Sequence, residues 1–178
     1  MIALPVSYMT ARSASLRRFP RDRPWIALML SILAVEVVGA SGAVFTAQGL
    51  TAWYGTLTRP AIAPPNWVFG PVWTTIFALL GVAVWLVWRQ AEAKPGAVRI
   101  AFVVFVLQFA FNLGWSAAFF GLQNIALGLV VIGILWVLIV ATIWAFDRVD
   151  RRAALLLVPY LLWVSFATVL NYQFWVLN

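Results

Sequence analysis

The sequence contains no cysteine and no histidine. Without thiols it can form no disulfide, and the redox state of its compartment cannot be read from it. Lacking both residue types, it also lacks the usual ligands of zinc, copper and iron–sulfur centres. A haem iron would have to use Tyr or Met, and the methionines are Met1, Met9 and Met29. The expectation is no metal and no cofactor. Charge is scarce as well, at 10% of 178 residues against about a quarter in soluble domains. No carboxylate pair is spaced for acid–base work, no nucleophile has a nearby base, and no glycine-rich loop could cradle phosphates. A nucleotide motif and an inverted repeat are also missing, which argues against a primary transporter.

What is abundant is apolar surface. The chain is 65% hydrophobic with a mean hydropathy of +0.98. A chain of this size buries only about 70% of its surface, so the excess must face lipid. Runs of about 20 apolar residues fall near 25–46, 71–88, 100–120, 125–146 and 153–175. Proline suits the start of the second, since Pro71 has no N–H for the first turn to leave unpaired. Pro159 should kink the fifth. The third and fourth are separated only by Gly121-Leu122-Gln123-Asn124, a tight hairpin. The fold class is an all-α membrane protein, a five-transmembrane-helix bundle over 25–178 with a lid loop at 47–70, preceded by a basic tail at 1–24.

Basic residues set the expected orientation. Arg12, Arg17, Arg18, Arg21 and Arg23 precede the first run. Arg89, Lys94 and Arg99 lie between the second and third, and Arg148, Arg151 and Arg152 between the fourth and fifth. Five crossings put all eleven on one side and Arg59 alone on the other. The N-terminus is therefore expected in the cytoplasm and the C-terminus outside it, in a bacterial cytoplasmic membrane. The net charge of +7 reads as this bias and not as a nucleic-acid footprint. The tail could be a targeting extension, a disordered cytoplasmic segment or the product of an upstream start; its composition favours the disordered segment. The first run exceeds a signal h-region and reads as a retained span.

The loop between the first two runs carries Pro60, Pro64 and Pro65 with Trp53, Tyr54 and Trp67. An interfacial aromatic belt needs no proline scaffold, so a structured lid over a cavity is the better reading. The run Trp53-Tyr54-x-x-Leu57-x-x-Pro60-x-x-x-Pro64-Pro65-x-Trp67-Val68-Phe69-Gly70-Pro71-Val72-Trp73 resembles the signature of the translocator protein family, which includes the tryptophan-rich sensory proteins and the peripheral benzodiazepine receptor. The resemblance continues at Gln108-x-x-x-Asn112-x-x-Trp115-x-x-x-Phe119-Phe120-Gly121 and at Pro159-Tyr160-x-x-Trp163-x-x-x-Ala167-x-x-Leu170-Asn171-Tyr172. It implies a dimeric five-helix bundle, in mitochondrial or bacterial membranes including outer ones, that binds porphyrins and, in animal members, sterols. Two departures stand out. Ile62 occupies a lid position where relatives often have an aromatic, and no basic residue follows Tyr172, as the weak sterol-associated pattern requires.

Helical spacing puts Gln108, Asn112, Trp115 and Phe119 on one stripe, with Ala110, Gly114, Ala118 and Gly121 nearly opposite. Polar groups at mid-membrane should face the bundle interior, to line a cavity or staple helices together. The small-residue stripe suits a close dimer contact. A flat apolar macrocycle, protoporphyrin IX or a related tetrapyrrole, would suit a slot walled by Trp73, Trp115 and Trp163 with Asn112 and Asn171 as orienters. The resemblance adds Trp53, Tyr54, Trp67, Ala167 and Leu170 to the ligand-binding set. It also implies that Trp73 and Trp163 would be the catalytic residues if the pigment is degraded in light. Glu36 is the one intramembrane acid, either protonated and bonded to Gln108 or Asn112, or a proton carrier. Three functions compete: sensing, buffering or transporting porphyrin under light or oxidative stress; light-dependent porphyrin breakdown; and a scaffold with a vestigial pocket.

Overall fold

Apolar length decides the architecture. The computed structural model describes residues 15–178, apart from the side chains at 48 and 50–52; residues 1–14 of the basic tail lie outside the described part. Five helices are long and apolar enough to cross a membrane: Pro24–Ala47, Asn66–Trp88, Pro95–Gly121, Ile125–Asp147 and Arg151–Leu177. At 1.5 Å per residue the shortest of these reaches about 34 Å, slightly more than the hydrocarbon thickness. Among the described residues there is no strand, and the chain is an all-helical, multi-pass membrane protein.

Local chemistry sets where each span starts and bends. Pro24 and Pro95 open the first and third spans, where a missing N–H costs nothing. The Asn124 side chain accepts from the Leu127 N–H at 2.9 Å, and the Asp150 carboxylate from the Arg152 N–H at 3.0 Å; each caps the next span. The first span is jointed at Ser41–Gly42, between α2 (Pro24–Ala40) and α3 (Ala43–Ala52). The third ends in a π turn over Ala117–Gly121. The fifth breaks at Leu157, between α7 (Arg151–Leu156) and α8 (Val158–Leu177), two residues before Pro159, where the sequence led us to expect a kink. The remaining spans contain α4 (Phe69–Trp88), α5 (Pro95–Ser116) and α6 (Ile125–Asp147). A short helix over 15–22 precedes them and is labelled α1.

Around the bundle the order is first, second, fifth, fourth, third. The second and fifth meet through α4 and α7, and the third returns to the first through the π turn and α3. Two kinds of adhesion hold this ring. Between the first and second spans close glycine contacts carry it. Gly39 lies under the Phe77 ring, and a Cβ on Gly81 would stand 2.5 Å from Ile32 Cα, so one glycine takes a side chain and the other lets the two backbones meet. Among the third, fourth and fifth spans side chains hydrogen-bond across helices: Asn112 and Gln108 to Tyr160, Trp115 to Asn171, Asn171 to the Ile125 carbonyl, and Trp136 to Ser165.

The described part of the basic tail, from residue 15 on, is folded, unlike the disordered segment expected there. Arg18 pairs with Glu92 at 2.8 Å, Arg21 donates to the Arg89 carbonyl at 2.9 Å, and the Trp88 indole donates to the Leu16 carbonyl at 3.2 Å. Phe19 packs on Trp88 with centroids 5.7 Å apart. A basic segment too short to show helical periodicity by itself is folded by docking on the loop between the second and third spans. Lys94 then ties that loop to the next, donating to the carbonyls of Arg148 and Val149 at 3.1 and 2.8 Å.

Candidate functional site

The lid is built from its prolines outward. Single 3₁₀ turns form at Tyr54–Thr56 and Asn66–Val68, and between them the Ala63 N–H bonds the Pro60 carbonyl at 3.0 Å. Arg59 donates to the Pro64 carbonyl at 3.0 Å and lies 5.6 Å from the centroid of the Tyr54 ring. The Thr58 backbone is clasped by the Asn178 amide, whose oxygen accepts at 2.8 Å and whose nitrogen donates at 3.3 Å. The loop is thus a folded strap across the end of the bundle. Burial pushes the Tyr54 hydroxyl above its ordinary range, with the Arg59 cation pulling partly the other way, so Tyr54 stays neutral under physiological conditions.

Beneath the lid Tyr54 is almost fully covered and meets Phe174 at 5.2 Å and Phe120 at 5.8 Å. Trp53 and Trp115 pack on Phe119 at 5.5 and 5.7 Å. Consecutive Phe119 and Phe120 both lie in the π turn, and their rings are 4.8 Å apart. A second aromatic group faces across the second and fifth spans. Phe69 meets Trp163 at 5.8 Å and Trp73 meets Tyr160 at 6.2 Å, as i, i+4 on one helix against i, i+3 on its antiparallel neighbour. Trp163 also lines an apolar groove of about 530 Å³ with Pro71, Val72, Thr75, Pro159 and Phe166. Its indole N–H is buried and has no acceptor among the described residues.

The polar residues sit at the centre. Gln108, Asn112, Tyr160 and Asn171 are all buried. Asn112 donates to the Tyr160 hydroxyl at 3.0 Å, and that hydroxyl donates to the Gln108 oxygen at 3.0 Å. The Trp115 indole donates to Asn171 at 3.1 Å, and Asn171 donates to the Ile125 carbonyl at 3.0 Å. This is the stapling role that the sequence left open. Asn112 and Asn171 are engaged inside the bundle, and their orientation is fixed by those bonds. The Gln108 side-chain NH2 group is buried and has no acceptor among the described residues.

The sequence-derived set is therefore distributed. Trp53, Tyr54 and Trp115 gather under the lid; Trp73 and Trp163 face the fifth and second spans; Ala167 and Leu170 are buried along the inner face of α8, and Trp67 projects from the lid at 74% exposure. Trp115 has its ring partners in the lid cluster and not with Trp73 or Trp163. Phe69 and Tyr160 complete the second group; the i, i+4 and i, i+3 spacings to Trp73 and Trp163 are the signal by which sequence could have found them. The small stripe is not one continuous ridge. Ala110 is exposed and Gly114 faces Val131 of the same chain, while Ala118 is buried and Gly121 faces Phe45, the last two lying in the π turn that shifts the register after Ser116. Glu36 sits partly exposed on the first span, while Gln108 and Asn112, its expected partners, both bond Tyr160.

Comparison with known proteins places the chain in a family. Residues 31–176 match the TspO/MBR family. The chain is 45% identical over 157 residues to the tryptophan-rich protein TspO of Chlorobaculum tepidum, covering 86% of this chain and 96% of that one. It is 37% identical over 155 residues to the tryptophan-rich sensory protein of Cereibacter sphaeroides, covering 85% and 92%, and 34% identical over 152 residues to the human translocator protein, covering 85% and 90%. With the five spans, the proline-built lid and the aromatic faces in place, the chain belongs to the TspO/MBR family.

Proposed function

We propose that this protein binds a porphyrin or related tetrapyrrole and acts in sensing, buffering or moving such pigments under light or oxidative stress. The observation that carries this reading is Trp163: an indole lining an apolar groove between two spans, its buried N–H without an acceptor, backed by the facing rings of Phe69, Trp73 and Tyr160. A flat, largely apolar ring with a few polar edges complements such a wall, since small-molecule sites are mostly apolar with few directing groups. The stapled interior makes the wall rigid, which favours binding of a preshaped ligand. The basic end is read as cytoplasmic.

The test is protoporphyrin IX titration of the detergent-purified protein, followed in the dark by tryptophan quenching, with Trp163→Phe and Trp73→Phe alongside. Saturable quenching weakened by Trp163→Phe is the expected result. Quenching that never saturates and ignores both substitutions would sink the proposal. Illuminating the same samples separates binding from turnover: pigment loss that needs Trp73 or Trp163 would move the activity to photo-oxidative breakdown.

A further inference from the structure

A cleft of about 650 Å³ opens at the lid end, apart from the Trp163 groove. Three segments meet there: the start of the lid with Trp53, the hairpin over 122–125, and the end of α8 with Trp175 and Asn178. In a chain that is 65% hydrophobic, this wall is unusual in gathering three carboxamides, from Gln123, Asn124 and Asn178, beside the two indoles. No charged side chain among the described residues lines it. Arg59, the cation of the lid, is turned to the Pro64 carbonyl and the Tyr54 ring.

Gln123 is the point of strain. It is the one described non-glycine residue with a positive φ, at 53°, a left-handed conformation that glycine or asparagine adopts at less cost. Gly121 and Asn124 stand close by in the chain, yet the hairpin puts a long carboxamide at this position. Strain of that kind collects where a side chain is kept for contact. The Gln123 side chain is exposed and makes no hydrogen bond among the described residues. Its surroundings are fixed. The Asn124 oxygen accepts from the Leu127 N–H at 2.9 Å, which leaves its NH2 group without an acceptor among the described residues. Asn178 is held by the Thr58 backbone and donates to the Phe174 carbonyl at 2.9 Å. Trp53 meets Phe119 edge-on at 5.5 Å, and Trp175 lies 6.0 Å from Tyr172 with half its surface exposed.

We propose that this cleft binds a glycosyl group, the head of a glycolipid or a free saccharide. Each sugar hydroxyl both donates and accepts, as a carboxamide does, and the C–H face of a pyranose packs flat on an indole. A phosphate, an ammonium or a pigment's carboxylate would find no counter-charge here. The site is therefore independent of the tetrapyrrole reading. An interfacial aromatic belt also puts tryptophan at the end of a span, but it needs neither the amides nor the strained backbone.

Native mass spectrometry of the full chain in a sugar-free detergent tests this with glucosyl-diacylglycerol and diacylglycerol of identical acyl chains, and with maltose. Wild type should retain the glycolipid about tenfold over diacylglycerol, and Gln123→Gly or Trp175→Leu should bring the two within about threefold, the scale of one or two hydrogen bonds. Gln123→Gly relieves the strained backbone, so its melting temperature should not fall; this separates a lost contact from a lost fold. Gln90→Ala, in the loop at the basic end, should change nothing. Maltose identifies the source: glycolipid displaced by it points to a free saccharide, and glycolipid retained in its presence to a lipid head. Equal retention of the two lipids together with no bound maltose would overturn the site, as would a preference that survives both substitutions. So would a Gln123→Gly variant that melts well below wild type, since the glutamine would then serve the hairpin alone.

Discussion

Single side chains carry two unequal kinds of burden here. The Tyr160 hydroxyl is at once acceptor from Asn112 and donor to Gln108, so Tyr160→Phe strands two buried partners while keeping the ring. Stranded buried polar groups cost about 1–3 kcal/mol each, and a clear fall in melting temperature in detergent is the expected outcome; an unchanged melt would mean that the network contributes nothing net. Asp150 works outside the membrane. Bonds from the Arg152 side chain hold its carboxyl below the usual range, so its contribution to stability is present above about pH 4, the ordinary carboxylate value, and is lost as pH falls through the depressed native value. Melting measured across acid pH should therefore keep that contribution down to about pH 4 and lose it below, and Asp150→Asn should remove this component of the acid loss.

Among the elements, turns and close crossings are the points of least tolerance. Gln123, in the hairpin joining the third and fourth spans, has φ 53, a left-handed conformation that costs a side chain about 1 kcal/mol or more and a β-branched one most. Gln123→Gly should therefore be tolerated and Gln123→Val should melt lower. Gly81→Leu should separate the first two spans outright, read as loss of folded, monodisperse protein, because Ile32 backbone lies where the new side chain begins. The spans themselves were legible in the sequence, since twenty apolar residues have few other uses, and so was a distortion near Pro159. The inward stripe of Gln108, Asn112 and Trp115 was legible from its period. Its partners were not: which helix stands opposite Asn112 depends on the order of spans around the ring, and hydropathy has no information about that order. The π turn escaped for a related reason, because an inserted residue alters phase without altering composition, and it is why the stripe through Ala118 and Gly121 leaves its expected face. The docked helix over 15–22 was missed because its stability comes from Trp88 and Glu92, some seventy residues away.

At the scale of the molecule, the absence of cysteine makes orientation directly measurable. A single cysteine at Ala93 and another at Thr56 should react oppositely with a membrane-impermeant maleimide in intact cells, Thr56→Cys labelled and Ala93→Cys protected; the reverse pattern would invert the topology. The two modes of adhesion described above have a consequence for assembly. Hydrogen bonds weld the third, fourth and fifth spans to one another, whereas the first two are joined to each other by glycine contacts. The peptide between Ala93 and Lys94 lies on the seam: Glu92 stays with the segment that docks on it, and Lys94 stays with the carbonyls it binds. The chain is in effect two parts written as one, and a gene cut at that peptide bond should yield halves that find each other in the bilayer and copurify, with Thr58 and Asn178 closing the far end.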